Sequence, residues 1–432
     1  MIVLAIPLGL FVAARLEIWF GGSVFTAYDT ASYLPVSFTG HAPRLWGAPA
    51  FYALFPDDVA RTFGQWLIGT IAWVALAVAL AIVLRTFVAR VLATTTVLAL
   101  GLLPQVTNWD FAILSESLSI SLGLLVLALL LLWLRFGKLP LLVALVVIAF
   151  AWTFVRPELV LLVGVVALVL AVRAVRKRQL ATAIAAGLLI AGIGWSVAIT
   201  PTVGKTFAGW SATGLTLREE TLLYRLRLQV LADPRVENVF HTKLGMPDCP
   251  AMKRIVVAEQ GKKWDMPGFA VAYRACPELR RWGAENAGRS GLRYVLAAPA
   301  LFLEQTWSTM PRALVGTRYA DVAAPLPLWA DLVYFPRITV IVPVLLGSLS
   351  ITLLAALAAG AWRRRRLLLG TGLILTVAAS ASVVAGLLYS TGENARFGMQ
   401  EGVALRLAVL VLLATAVDSL LGRRRELRAD TE

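Results

Sequence analysis

Histidine and cysteine are almost absent from this chain, with two of each in 432 residues. A structural zinc site takes about four Cys or His ligands. Zinc modules built from two cysteine pairs and centres of three or more histidines are therefore excluded, and a single histidine among carboxylates stays open. His41 and His241 read as ordinary polar side chains. Charge is scarce as well: Asp, Glu, Lys and Arg make up 15% of the residues against 59% hydrophobic ones, and the mean hydropathy is +0.78. The apolar residues come in runs long enough to cross a hydrocarbon core of about 30 Å, which excludes a soluble fold. There is also no internal repeat and no matched pair of broken apolar segments, the pattern of many secondary transporters.

The charge that is present leans one way, 40 Lys and Arg against 25 Asp and Glu, a net +15. On a soluble domain that surplus would point to nucleic acid; here basic loops facing the cytoplasm account for much of it, and no nucleic-acid partner is expected. Hydropathy predicts an all-α integral membrane protein of about ten spans: 1–20, 63–84, 88–103, 111–134, 139–155, 159–172, 180–200, 332–361, 367–388 and 403–421. The first run has no basic leader and no small-residue cleavage site before Gly21, so it reads as the first helix and not as a removed signal peptide.

Basic clusters mark one side of the membrane. Arg85 with Arg90, Arg135 with Lys138, Arg173 to Arg178, Arg363 to Arg366 and Arg423 to Arg425 all fall on the same side by helix count, which the positive-inside rule makes cytoplasmic. The chain divides accordingly into spans 1–200 with a first outer loop at 21–62, an extracytoplasmic insert at 201–331, spans 332–421 and a basic tail at 422–432. The insert, about 130 residues with amphipathic stretches such as 217–231 and turn signals such as Asp233-Pro234, is expected to be a mostly helical cap. It holds both cysteines, Cys249 and Cys276, and outside the cytoplasm a single disulfide is the expected state, with two free thiols as the alternative. Abundant Ala, Leu and Arg point to a bacterial inner membrane.

The chemistry-bearing residues gather on the outer side. Asp29 lies between Tyr28 and Tyr33 in the first outer loop, where a lipid-linked head group would meet water; a loop aspartate capping a short interfacial helix is the plain alternative. Asp110 precedes the step Ser115-Glu116-Ser117-Leu118, which places Glu116 about one to two turns inside the fourth span. A carboxylate there must face a polar cavity or an arginine partner. Arg156-Pro157-Glu158 forms a tight outer turn whose guanidinium can grip a phosphate or snorkel to head groups, and Arg337 and Arg396 add cations to the same face.

An acid in the first outer loop followed by a tyrosine, a Ser-Glu-Ser-Leu step, an Arg-Pro turn and Arg396-Phe397 before the last span together resemble the GT-C glycosyltransferases. These are membrane enzymes that use polyprenyl-phosphate sugars, among them the protein mannosyltransferases and the lipid A aminoarabinose transferases. The resemblance implies a GT-C-like fold, a polyprenyl-phosphate sugar as donor, an extracytoplasmic glycan, lipid or protein as acceptor, and Asp29 as catalytic base with Glu116 as a second catalytic candidate. The loop 40–49, with Arg44, is similar to the family's loop before the second span. Tyr33, Arg44, Asp110, Arg156, Glu158, Arg337 and Arg396 are the expected substrate-binding residues. The family's paired acidic dipeptide is not reproduced, so no metal ligands are assigned; arginines or a bound divalent cation would carry the charge on the leaving phosphate. A flippase for a lipid-linked saccharide and a non-catalytic cell-envelope subunit are the rival classes.

Overall fold

The computed structural model describes residues 2–27, 29–211, 213–258, 266–314, 338–358, 362–389 and 398–429. The first half of the chain forms α1 (Ile2–Gly21), α2 (Gly47–Tyr52), α3 (Asp58–Val83), α4 (Phe87–Gly101), α5 (Pro104–Thr107), α6 (Glu116–Phe136), α7 (Leu139–Thr153), α8 (Leu159–Lys177) and α9 (Leu180–Thr206). The insert forms α10 (Leu217–Arg225), α11 (Pro234–Thr242), α12 (Pro250–Ala258), α13 (Met266–Arg274), α14 (Pro277–Asn286), α15 (Ser290–Ala297) and α16 (Pro299–Leu314). Three long helices close the chain: α17 (Ile338–Ala358), α18 (Trp362–Tyr389) and α19 (Met399–Ala429). Among the described residues the one β-contact is a bridge between Phe25 and Ala112.

Eight of these helices, α1, α3, α6, α8, α9, α17, α18 and α19, are long and apolar enough to cross a membrane. The pair α4 and α5, bent by 56°, qualifies as one broken span, and α7 is apolar but only 15 residues long. Each corresponds to a run read from the sequence. Large apolar side chains on their outward faces, such as Leu10, Val147 and Leu354, stay exposed, as lipid-facing residues must.

The helix ends sort into two faces. Arg173 Nη1 donates to Leu134 O at 3.3 Å, and Asp418 Oδ1 accepts the backbone N–H groups of Arg85 (3.0 Å) and Thr86 (2.6 Å). The basic loops after α3, α6 and α8 and the end of α19 thus meet at one end of the bundle. The opposite end carries the loop before α3, the 104–115 segment, the 154–158 turn and the insert.

Several helix ends differ by about five residues or more from the sequence reading, and two of these differences shape the outer face. The helix expected from 111 starts only at Glu116, so Glu116 stands at its first position and not one to two turns within it. Pro104 holds Leu103 extended (ψ 140°) and ends α4, after which residues 108–111 make a single tight turn. The freed backbone is satisfied from elsewhere: Phe25 N–H donates to Phe111 O at 2.8 Å, Gln65 Nε2 to Ala112 O at 2.9 Å, Thr30 Oγ1 to Ile113 O at 3.3 Å, and the Tyr52 hydroxyl to Leu114 O. Buried polar groups from three other segments fix this stretch as non-helical. The second difference is α9, expected to stop at 200 but running through Pro201 to Thr206, with the Thr200 hydroxyl donating back to Ser196 O at 2.7 Å.

The insert has its own apolar core around Leu222, Leu226, Phe240, Phe269 and Tyr273. Thr216 and Glu219 form a capping box that starts α10, and the Asp233 carboxylate caps α11 by accepting the Arg235 N–H at 3.0 Å. Its helix α16 packs onto the last three long helices through Ala313, Leu314, Ile341 and Leu405. Cys249 and Cys276 are joined, with Cα atoms 6.0 Å apart and a sequence separation of 27. A loop of that length restrains the unfolded chain by about 3.5 kcal/mol. Thermal unfolding with and without reductant is therefore expected to show the cap melting several degrees lower when reduced; identical curves would contradict a stabilising bridge.

Candidate functional site

The face opposite the basic loops carries three layers of charge. The topmost is built by residues 29–47. A tight turn at Thr30–Tyr33 places Asp29 beside Arg44, whose Nη2 donates to Asp29 Oδ2 at 3.0 Å and whose Nε donates to Ser32 Oγ at 2.8 Å. The Arg44 guanidinium also lies over the rings of Tyr33 (4.7 Å) and Phe207 (5.2 Å). The side chains of Asp29 and Arg44 are 20% and 23% exposed, so a ligand can reach both.

Tyr33 leads down to the second layer, its hydroxyl 3.3 Å from Ser115 Oγ, next to Glu116. Arg156 Nη1 pairs with Glu116 Oε1 at 3.4 Å and Arg156 Nε with Glu158 Oε1 at 2.5 Å. Here Glu116 and Arg156 are 1% and 7% exposed, so Glu116 holds the arginine from behind while Glu158 covers its open side. The two layers dock through Gly47, whose N–H donates to Phe154 O at 2.9 Å; a Cβ on that residue would lie 2.6 Å from the Phe154 carbonyl carbon. Gly47→Ala is accordingly expected to push the Asp29 loop off the Arg156 turn and lower activity several-fold with little loss of the bundle, measured as turnover against far-ultraviolet circular dichroism; unchanged turnover would show that the docking is dispensable.

The deepest layer was not anticipated. Arg15, 1% exposed in the first helix, pairs with Asp110 Oδ2 at 2.8 Å and donates to the Thr70 hydroxyl at 3.1 Å. Ser117 Oγ completes the Asp110 shell at 2.5 Å. Asp110 therefore lies behind the face in an internal ion pair and not on an exposed loop. A lone arginine in an apolar run is itself a signal, since such a charge needs a partner; the sequence reading passed over Arg15.

The insert also reaches this face. Glu220 on α10 accepts from Ser211 Oγ at 2.9 Å and Thr213 Oγ1 at 3.2 Å, and Arg274 Nη2 anchors the same loop by donating to Thr213 O at 2.8 Å. Burial pushes the Glu220 carboxyl above its usual range, opposed by those two hydroxyls and by the positive charge of Arg44. Nothing in the sequence ties Glu220 to Arg44, which lies far away along the chain.

No family model, no curated protein and no solved structure matches this chain. What the site can do rests on its own geometry.

Arg337 and Arg396 lie outside the described residues. Among those described, the single grouping of metal-type side chains is Glu237, His241 and Asp248, in the insert. Its cation is already supplied: Lys253 Nζ lies 2.7 Å from Glu237 Oε1 and 2.9 Å from Asp248 Oδ1. The hydrogen bond from Lys253 holds the Asp248 carboxyl below its usual range, and the carboxylates hold the ammonium above its own. His41 is exposed, with its backbone N–H on Ser37 Oγ.

Proposed function

We propose that the chain is a membrane glycosyltransferase of GT-C type, which moves a sugar from a polyprenyl-phosphate donor to an extracytoplasmic glycan, lipid or protein. The observation that carries this reading is the half-open pair of Asp29 and Arg44 on the face opposite the basic loops, a proton acceptor 3.0 Å from a cation where a lipid head group would meet water. Asp29 takes the proton from the acceptor hydroxyl as the bond to the anomeric carbon forms. The leaving group is a phosphate, already an anion, so no general acid is required at that oxygen, unlike the alcohol leaving group of a glycosidase. Arg44 and Arg156 balance the charge that develops there, with Glu116 and Glu158 fixing the orientation of Arg156.

One base acting opposite the leaving group gives inversion at the anomeric carbon. The anomeric configuration of the product, read by nuclear magnetic resonance of a transfer reaction, is expected to be opposite to that of the donor; retention would reject this mechanism.

A carrier for lipid-linked saccharides draws on the internal Arg15–Asp110 pair, because carriers place charges along their path. Arg15 lies about 9 Å from the end of a helix about 30 Å long at the usual rise, nearer its midpoint than its end. What favours the transferase is the half-open Asp29–Arg44 pair, which lies at the face and not along an internal path.

A further inference from the structure

The helix α16 starts in the cap and finishes among the spans. Phe302, in its first turn, is buried in the apolar core of the cap. Ala313 and Leu314, at its other end, pack with Ile341, Ala379, Val383 and Leu405. Those four residues lie within the apolar stretches 341–358, 367–386 and 399–422 of α17, α18 and α19. The approach is close, for a Cβ on Gly402, inside the last of these stretches, would lie 3.0 Å from Leu314 O. Val384, inside the second stretch, packs on the cap core as well. The base of the cap is therefore level with residues of the membrane-spanning helices, and α16 is tied to that level at its lower end.

One side of α16 is apolar where a helix over water would be polar. Phe302 and Thr306 are buried, while Leu303 and Trp307, one turn apart on a different side, are 64% and 54% exposed. Glu304, beside Leu303, is engaged by Arg235 of α11, whose Nη1 and Nη2 donate to its two carboxylate oxygens at 3.2 and 3.0 Å. Amphipathic helices with Leu and Trp on one face lie with that face about 5–10 Å into the boundary between head groups and acyl chains. Tryptophan gathers at the same boundary.

We propose that Leu303 and Trp307 are immersed in the leaflet opposite the basic loops, so that α16 is the insert's own membrane anchor and lipid is what covers its apolar side. The lower end of α16 joins α17, whose exposed side chains Leu346 and Leu354 already face lipid. The cap is thereby held at the bilayer surface on the Asp29 side. This inference does not depend on sugar transfer.

The test reads the depth of α16 directly. Cys249 and Cys276 are joined, so an introduced cysteine is the one reactive thiol. A nitroxide is attached through Leu303→Cys or Trp307→Cys in the full chain in nanodiscs, with Leu354→Cys as the lipid reference and the exposed Glu285→Cys as the water reference. The labels at 303 and 307 are expected to relax with dissolved oxygen as the Leu354 label does, and to be several-fold less open to a water-soluble nickel chelate than the Glu285 label. Access to the chelate equal to that at Glu285 would place this side in water, and exclusion of both reagents would mean that protein covers it; either overturns the proposal. If the cysteine variants are not recovered folded, wild type is irradiated in nanodiscs of a lipid with a photoreactive acyl chain. Adducts on the peptide 299–314 are then expected, and adducts on 341–358 with none on 299–314 overturn the proposal.

Discussion

Asp29→Asn is expected to lower sugar transfer by about a hundredfold to ten-thousandfold, the range lost when a general base is removed. The amide oxygen can still accept from Arg44, so the loop keeps its shape while the proton acceptor is gone. The pair is partly exposed on both sides, 20% and 23%, so its loss should cost no more than about 1 kcal/mol of stability. Turnover and thermal unfolding measured on the same preparation separate the two effects. A variant with normal turnover would remove Asp29 from the mechanism, and one that fails to fold would make it structural.

The largest effect on stability is expected from Arg15→Ala. Removing the arginine strands the Asp110 carboxylate among Ser117, Thr70 and the apolar faces of α1, α3 and α6, and breaking a buried pair on one side costs about 3–5 kcal/mol. Thermal unfolding in detergent should fall by many degrees, or the variant should not accumulate in the membrane. Replacing both partners together, Arg15→Leu with Asp110→Leu, is expected to recover much of the loss, because two buried charges exchanged for apolar groups are often neutral. A double variant as unstable as Arg15→Ala would show that the site requires polar groups. A folded double variant with normal transfer would confine the pair to architecture.

The helix plan was legible because membrane-spanning segments announce themselves locally. A run such as 180–200 must be helical in lipid, since no other backbone form satisfies its own hydrogen bonds. The helical nature of the cap was legible from capping and turn signals such as Asp233-Pro234. Asp29, Glu116 and Arg156 stood out because charges are rare here, and the structure gathers them on one face. Their partners were not legible. The Asp29–Arg44 and Glu116–Arg156 pairs are set by how loops dock across the bundle, and spacing along the chain carries no trace of that. The start of α6 was misplaced for the same reason: the residues that hold 111–114 out of a helix are Gln65, Tyr52 and Thr30, all distant in sequence. Arg15 differs, because a lone charge in the first apolar run needs a buried partner, and the carboxylates near span ends are few.

The central claim is that Asp29 and Arg44 form a transfer site for a lipid-linked sugar. Its most direct test is incubation of the purified full chain in nanodiscs with a panel of radiolabelled polyprenyl-phosphate sugars, following release of free polyprenyl phosphate for wild type and Asp29→Asn. The account predicts release from at least one donor by the wild type and none above background by the variant. No release from any donor by folded wild-type protein, or release that survives Asp29→Asn, would contradict it.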